Sequence, residues 1–199
     1  QENSEFKLKL LSEEEVSFKF ENYKDTIPYK DKEYFMKRYF NHPIYKYKVY
    51  GIFKNSEIDS ILVLRKVVAN NGKILRIVDF IGNQIGLEFV THYLYKKIIK
   101  ENYEYMDFMC FGFDYAQLIK SGFIEVNIDS SDLIIPNYFS PFLLENIQIN
   151  FFADTLKFDC IKMCKADGDQ DRPSWVKLFF NIKLIVCPWT QLIDHVVML

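Results

Sequence analysis

Two aspartates stand inside strongly apolar stretches, where a carboxylate could take part in proton transfer. Asp79 and Asp107 each precede a phenylalanine in such a stretch. Burial disfavours the charged form of a carboxylate, which suits a general base that removes a proton from an amine. A structural alternative stays open, in which each Asp caps a local turn or pairs with Arg76 or Arg65.

A second group of carboxylates, Asp167, Asp169 and Asp171, is followed by Arg172. Their alternate spacing is found in calcium loops, but such loops need Gly at the sixth position and Glu at the twelfth, where Arg172 and Leu178 stand. Asp-x-Asp also occurs in glycosyltransferases that hold nucleotide-sugars through a divalent ion, yet nothing Gly-rich precedes this segment. We therefore expect no metal, and a polar loop that folds over the active site and binds a polyhydroxyl substrate. The alternative is an acidic surface turn stabilised by Asp–Arg172 pairing.

Histidine and cysteine give weaker indications of chemistry. His42 precedes Pro43 and could bind substrate at a cleft rim beside Tyr45, although a His in this position is often a cap or loop residue. The sequence has no Ser-His-Asp order and no Gly-x-Ser-x-Gly elbow. Cys160 and Cys164 lie without nearby His, so we expect buried thiols and no zinc site.

The composition is that of a globular domain and excludes several classes of protein. The 199 residues are 49% hydrophobic and 26% charged, unlike a disordered chain. The net charge is −2 and the lysines are dispersed, so we expect no nucleic-acid binding. The 17% aromatic share indicates an aromatic core, although surface Tyr also lines sugar-binding clefts. The four cysteines are too few and too scattered for a disulfide framework, which favours a reducing compartment.

The two ends of the chain indicate a cytoplasmic protein without a membrane span. Residues 1–9 are polar and charged, so no signal peptide is expected there. The apolar run at 178–189 contains Asn181 and Lys183 and is shorter than the about 20 residues that a spanning helix needs. We expect one domain at 1–174 and an apolar extension at 175–199, which packs on the domain or forms a homodimer contact. The start at Gln1 rather than Met is compatible with a fragment of a longer protein that has a partner domain upstream.

Hydrophobic periodicity predicts the elements that position these residues. Alternation predicts a first strand at 6–11 and an antiparallel meander of strands at 45–53, 58–69 and 74–81, with a tight turn at Asn70-Asn71-Gly72. A helical stripe from Ile85 to about residue 102 precedes a strand at 103–111, which predicts a parallel βαβ crossover.

Shorter elements complete the prediction. A helix is expected to begin at Ser12, because three Glu residues follow it and favour a helix N-terminus. Further helices are predicted at 31–40, 115–120 and 141–146, and strands from Phe123, at 149–152 and at 158–163. The fold class that follows is α/β of the α+β type, with a mixed sheet.

The order of these elements resembles the GNAT superfamily of N-acyltransferases. Residues 116–123, Ala-Gln-Leu-Ile-Lys-Ser-Gly-Phe, resemble the helix-to-strand turn before the sixth strand of that family. Four further motifs resemble an uncharacterised bacterial group of GNAT-like proteins associated with surface-polysaccharide gene clusters, over about residues 30–174. They are Asn-His-Pro at 41–43, Arg-Ile-Val-Asp-Phe at 76–80, Tyr-Met-Asp-Phe at 105–108 and Lys-Ala-Asp-Gly-Asp-Gln-Asp-Arg-Pro at 165–173.

The resemblance implies a fold and a site. It implies a mixed sheet with helices on both faces, in which the strands of Asp79 and Asp107 are adjacent and splay apart at the acyl site. It also implies acetyl-CoA or another acyl-CoA as substrate, with its pyrophosphate held by backbone N–H groups at a strand-to-helix junction. Here that junction reads Gly82, Asn83, Gln84, Ile85, Gly86, without the Arg and the spacing of the family motif. Tyr115 is a weak substitute for the family Tyr that protonates the leaving thiolate.

The function implied by the resemblance is transfer of an acyl group to an amino-sugar, expected as a nucleotide-sugar precursor of a surface polysaccharide. The amine would attack the thioester directly, with Asp79 or Asp107 as base and the N–H groups of the 82–86 junction at the oxyanion. The altered junction favours a second hypothesis, a non-catalytic ligand-binding module or half of a larger enzyme. A glycosyltransferase is a third.

Overall fold

The computed structural model describes residues 5–69, 72–129, 133–135, 145–146, 149–168 and 183–187. Within these ranges eight strands form one mixed sheet, in the order β1-β2-β3-β4-β5-β8-β6, with β7 paired to β5. The α+β class predicted from the sequence is confirmed. The elements in chain order are β1 (Phe6–Leu10), α1 (Lys32–Phe35), β2 (Tyr47–Lys54), β3 (Glu57–Ala69), β4 (Gly72–Gly82), α2 (Gly86–Glu101), β5 (Met106–Phe111), α3 (Tyr115–Lys120), β6 (Ile124–Glu125), β7 (Met163–Cys164), α4 (Lys165–Gly168) and β8 (Lys183–Cys187), with 3₁₀ turns at Phe20–Tyr23 and Phe158–Cys160 and a π-helical turn at Met36–Phe40 that continues α1.

The first half of the sheet is the predicted antiparallel meander. Strands β1 to β4 pair in sequence order, and every pair is antiparallel. The β2–β3 hairpin turns at Asn55 and Ser56, which both have positive φ, as a tight hairpin turn requires. Asn70 and Asn71 lie outside the described residues, and Ala69 pairs with Gly72 on either side of them.

The predicted crossover is also present. Strand β4 runs into α2, and β5 returns parallel to β4 over three paired positions, from Leu75–Met106 to Ile77–Phe108. On its other edge β5 pairs with β8 from Met106 to Cys110, and its last two residues pair with β7, both antiparallel. The two parallel strands therefore share only a short ladder.

Helices cover both faces of the sheet. One core contains the buried residues of α2 together with Leu118 of α3 and the inward side chains of β4 and β5. The first helical segment, which is α1 together with the π-helical turn that continues it (residues 32–40), contributes Phe35 and Tyr39 to the other core. These two rings pack on Val49, Ile61 and neighbouring strand residues. Alternation along each strand divides its apolar side chains between these two cores, as in a sheet covered on both sides.

A β-bulge in β4 interrupts that alternation just before Asp79. Val63 pairs with Asp79 while Leu64 pairs with Ile77, so that Val78 is the extra residue. Ile77 lies in the core beneath α2, and strict alternation would turn Asp79 to the same side. The bulge turns Asp79 to the opposite face, toward the first helical segment.

Three predictions of local structure need correction. The segment that begins at Ser12 forms one turn rather than a helix, with the Ser12 N–H bonded to the Glu15 carboxylate at 2.9 Å. Val16 and Phe18, two residues apart, are both buried, and this extended spacing competes with helix. Residues 149–152 are irregular rather than a strand, and the strand predicted at 158–163 is a 3₁₀ turn followed by β7. The helix predicted at 141–146 lies mostly outside the described residues.

The apolar C-terminal segment contributes to the sheet. Lys183–Cys187 forms β8, which lies between β5 and β6 and is antiparallel to both. Among the helices described, none is long and apolar enough to cross a membrane.

Candidate functional site

A buried lysine joins two aspartates from distant parts of the chain. The Nζ of Lys30 donates to Asp79 Oδ1 at 2.6 Å and to Asp167 Oδ2 at 2.9 Å. All three side chains are almost inaccessible, with exposed fractions of 6%, 0% and 4% for Lys30, Asp79 and Asp167. Burial weakens screening by water, so this group is a strongly coupled electrostatic unit.

Three different elements deliver these side chains. Asp79 is turned into the site by the bulge in β4. Lys30 lies just before α1, in a loop attached to the 160–162 segment by the Ile27 N–H to Cys160 carbonyl bond (2.9 Å) and the Lys162 N–H to Ile27 carbonyl bond (2.8 Å). Asp167 lies in α4, and its carboxylate accepts the Cys164 N–H at 2.8 Å. The site therefore depends on long-range packing rather than on one local motif.

Asp79 is the internal member of the group. Its carboxylate accepts from Lys30, from the backbone N–H of Phe80 at 2.9 Å and from the hydroxyl of Tyr39. Burial, reinforced by the charge of Asp79, raises the pKa of Tyr39 well above its ordinary value. Tyr39 therefore stays protonated and donates its hydrogen to Asp79.

Asp167 is the member that can change its charge near neutral pH. Burial and, next, the negative charge of Asp79 raise its pKa from 3.8 to about 6, against the lowering effect of Lys30 and the Cys164 N–H. Burial alone would lower the pKa of Lys30, but the nearby acidic groups outweigh it and the pKa is raised. Lys30 is therefore a permanent cation, and Asp167 is a carboxylate whose pKa suits a general base.

Asp167 lines a groove of about 700 Å³ between the first helical segment and residues 151–155. The groove is also lined by Lys30, Arg38 and the aromatic rings of Tyr29, Tyr34, Phe151 and Phe152. Its size is within the range of small-molecule sites, and its aromatic walls with a few charged groups match their usual character.

A much smaller cavity lies on the other side of Lys30. Its volume is about 20 Å³, room for about one water molecule, and it is lined by Lys30, Phe80, Gly82 and Phe113 among others. Pro28 and Lys30 line both spaces. The lysine thus stands between the groove and the end of β4.

The same group includes atoms that could ligate a metal ion. One ligand atom from each of Asp79, Cys164 and Asp167 lies within 4.8 Å of the others. The ammonium of Lys30 bonds both carboxylates and already supplies a cation there. Burial and the neighbouring carboxylates raise the pKa of Cys164 well above its ordinary value, so the thiol is held in the form that does not ligate. Of the two cysteines expected to be buried, Cys164 is buried and Cys160 is half-buried.

Asp107, the other predicted base, lies in a separate buried pair. Its carboxylate is bound by Arg76, the residue beside it in the parallel ladder, with Nε at 3.0 and 2.9 Å from the two oxygens and a further bond from Nη2. This is the structural alternative that the sequence left open. A bidentate ion pair of this kind fixes both side chains.

The predicted cofactor junction is closely packed and bonded within the protein. The Asn83 N–H contacts the Asp59 carbonyl at 3.4 Å, and the Ile85 N–H donates to the Asn83 side chain at 3.1 Å. Gly82 has φ of 119°, and a Cβ there would lie 2.6 Å from the Asp59 carbonyl oxygen. A Cβ on Gly86, the first residue of α2, would lie 2.9 Å from the Ile52 side chain.

Tyr115 lies beside this junction. The side chain of Gln84 bonds the backbone of Asp114 in both directions, at 2.7 and 2.9 Å, and Asp114 is the N-cap of α3, which begins at Tyr115. Tyr115 is 38% exposed. The structure therefore brings Tyr115 near the 82–86 junction, whereas Asp79 lies earlier in β4 with its side chain turned toward the first helical segment.

The remaining predicted substrate residues divide into two groups. His42 Nδ1 accepts the N–H groups of Ile44 and Tyr45 at 3.1 and 2.9 Å, and its ring stacks on Tyr45. The Arg65 guanidinium lies over the Tyr45 ring, 4.3 Å from its centre. Neither His42 nor Tyr45 lines the groove. Asp169, Asp171 and Arg172 lie outside the described residues.

Lys30, Arg38 and Tyr39 are site residues that the sequence reasoning missed. The i, i+4 spacing of Phe35 and Tyr39 places the phenol on the buried face of its helix, where its hydroxyl needs a partner, and this signal was available. Nothing in the sequence around Lys30 indicates that its ammonium is buried.

Comparison with known proteins does not assign this chain to a family. No protein-family model, no curated protein and no solved structure matches this chain. The function must therefore be inferred from the residues and their geometry.

Proposed function

We propose that this chain is an N-acyltransferase that moves an acyl group from an acyl thioester, such as acyl-CoA, to the amine of an amino-sugar in surface-polysaccharide biosynthesis. The observation that carries the proposal is Asp167, a buried carboxylate with a pKa of about 6 in the lining of a groove of small-molecule size. The choice of acyl transfer comes from the resemblance to the GNAT superfamily, and a short parallel β4–β5 ladder is compatible with it.

In the proposed reaction the amine enters from the groove and loses a proton to Asp167. Its nitrogen lone pair attacks the thioester carbonyl, a C–N bond forms, and the C–S bond breaks as the thiolate leaves with the electron pair. Asp79 holds Lys30, and Lys30 in turn holds Asp167 in place. Tyr115 and the 82–86 junction, the predicted thiolate donor and oxyanion contact, do not line the groove, so the step at Asp167 is proposed without them.

Asp79 and Asp107 remain candidates for the base, but their contacts favour Asp167. Asp79 already accepts from an ammonium, a hydroxyl and a backbone N–H, and Asp107 is bound by a guanidinium fork. Because permanent donors already occupy the oxygens of each carboxylate, few of their lone pairs are open to an incoming amine.

The test is thiol release from acetyl-CoA in the presence of a panel of amino-sugars. Asp167→Asn should lower kcat about 10²- to 10⁴-fold, the usual contribution of a general base, without loss of acetyl-CoA binding. Asp159→Asn is the matched control, because Asp159 is exposed on a neighbouring turn and does not line the groove. Full turnover by the Asp167→Asn variant would eliminate Asp167 as the base.

One observation favours a second function, a non-catalytic ligand-binding module. N–H groups of the 82–86 junction already donate within the protein, so a pyrophosphate there would have to displace those bonds. Calorimetric titration with coenzyme A and acetyl-coenzyme A separates the two functions. Saturable binding supports the transferase, and no binding at millimolar ligand together with no thiol release supports the module.

A further inference from the structure

The groove carries charged groups of both signs, more than a simple amine requires. Among the described residues, two cations, Lys30 and Arg38, and two carboxylates, Asp154 and Asp167, line it. Lys30 is balanced by the fully buried Asp79 on its inner side. The lining of the groove therefore contains both a carboxylate, Asp167, and a guanidinium, Arg38.

These two groups are close neighbours. The Arg38 Nη2 lies 3.4 Å from the carbonyl oxygen of Ala166, the residue directly before Asp167. Both charges also act on one phenol, because burial and the charge of Asp167 raise the pKa of Tyr34 while Arg38 lowers it. The carboxylate and the guanidinium therefore act in the same part of the groove.

Resting on the acyltransferase function above, we propose that the acceptor carries an anionic group, a phosphate or a carboxylate, which Arg38 binds while Asp167 binds the amine. A guanidinium presents a planar fork of N–H donors that matches the oxygens of either anion. An amino-sugar without such a group offers no anionic oxygens to this fork.

The walls of the groove fit the body of such a ligand. Tyr29, Tyr34 and Phe152 are 46%, 38% and 61% exposed, and all three line the groove. Aromatic faces of this kind pack on the apolar face of a sugar ring or on a nucleobase. The acceptor class is therefore an aminohexose phosphate, a nucleotide-linked aminohexose or an aminouronic acid.

The test is calorimetric titration of the whole chain, without acyl donor, against four amines. They are glucosamine, glucosamine 1-phosphate, UDP-glucosamine and 2-amino-2-deoxyglucuronic acid. At least one anionic ligand should bind about tenfold more tightly than glucosamine, as expected for a charge-assisted contact. The amine that binds most tightly shows whether the anionic group is a sugar phosphate, a nucleotide diphosphate or a carboxylate.

Arg38→Met should weaken binding of that ligand about 10- to 100-fold and change glucosamine binding less than about twofold. Arg38→Lys keeps the charge and loses the fork, so its loss should be intermediate. Lys37→Ala is the matched control, because the neighbouring Lys37 is exposed, pairs with Glu33 and does not line the groove. Thermal unfolding of each variant shows that it is folded.

The two proposals fail in different ways. Arg38-dependent binding of an anionic amine without thiol release would overturn the transferase and leave the ligand assignment intact. Equal binding of glucosamine and the anionic amines, with no effect of Arg38→Met on a folded protein, would overturn the ligand assignment even if acyl transfer occurs.

Discussion

Replacing Asp167 by Asn should make the folded protein more stable at neutral and higher pH. The side chain of Asp167 is 4% exposed and its pKa is raised from 3.8 to about 6. At about 1.4 kcal/mol per pKa unit, ionised Asp167 destabilises the folded state by about 3 kcal/mol. Asn is uncharged and keeps an oxygen that can accept from the Cys164 N–H and from Lys30, so it should remove most of this penalty.

The pH dependence gives the sign of the effect. A carboxyl whose pKa is raised on folding destabilises the folded state fully above about pH 6 and not at all well below 3.8. The Asp167→Asn variant should therefore exceed the wild type by about 3 kcal/mol at about pH 8 and by only about 1 kcal/mol at about pH 4.5. For a chain of this size the difference at the higher pH corresponds to roughly 6 to 12 °C in Tm.

Urea unfolding followed by far-UV circular dichroism measures the difference, provided that the m-values of the two proteins agree. Asp159→Asn serves as the control, and its effect should stay within about 0.5 kcal/mol because that residue is exposed. An Asp167→Asn variant that is less stable than the wild type at about pH 8, or a gap that does not change with pH, would refute the reasoning. The first result would mean that the charge of Asp167 stabilises the fold, and the second that the pKa of Asp167 is not shifted on folding.

Three further predictions test other parts of the structure. Asp107→Asn should destabilise the protein by about 3–5 kcal/mol in the same urea assay, because it leaves a buried guanidinium without its counter-charge; unchanged stability would show that the pair is not formed. Gly82→Ala should lower Tm, with a cost of about 1–3 kcal/mol from strain at positive φ, whereas a Cβ on Gly168 meets nothing within 4 Å among the described residues, so Gly168→Ala should leave Tm nearly unchanged. If Asp167 is the base, kcat/KM should rise with an apparent pKa near 6, because the carboxylate must be deprotonated to accept a proton; a rate that does not change between about pH 5 and about pH 7 would contradict that role.

The predictions give the two buried aspartates opposite effects on the stability of the fold. The charge of Asp167 should destabilise the folded state, and the charge of Asp107 should stabilise it. Asp107 is bound on two oxygens by Arg76 and has the contacts of a structural ion pair. Asp167 shares Lys30 with Asp79, so one cation faces two carboxylates in a buried space. An imbalance of this kind is more often retained for function than for stability.

The sequence by itself determined the order of the elements from β2 to α3 and the class of the fold. Period-two alternation in β2, β3 and β4 predicted the meander, and the helical stripe of α2 between two apolar strands predicted the parallel crossover. The helix at Tyr115–Lys120 was also predicted with its observed bounds. These features are local, because backbone periodicity and turn residues act over a few neighbouring positions.

The functional cluster was decided only by the tertiary structure. Lys30 and Asp167 are 137 positions apart, and no local pattern relates them. The bulge at Val78 reverses the face to which Asp79 points, which a strict alternation would have predicted on the α2 side. Periodicity specifies which residues are buried, but the pairing of buried charges depends on strand register and on loops that meet across the core, and these are set by packing over the whole domain.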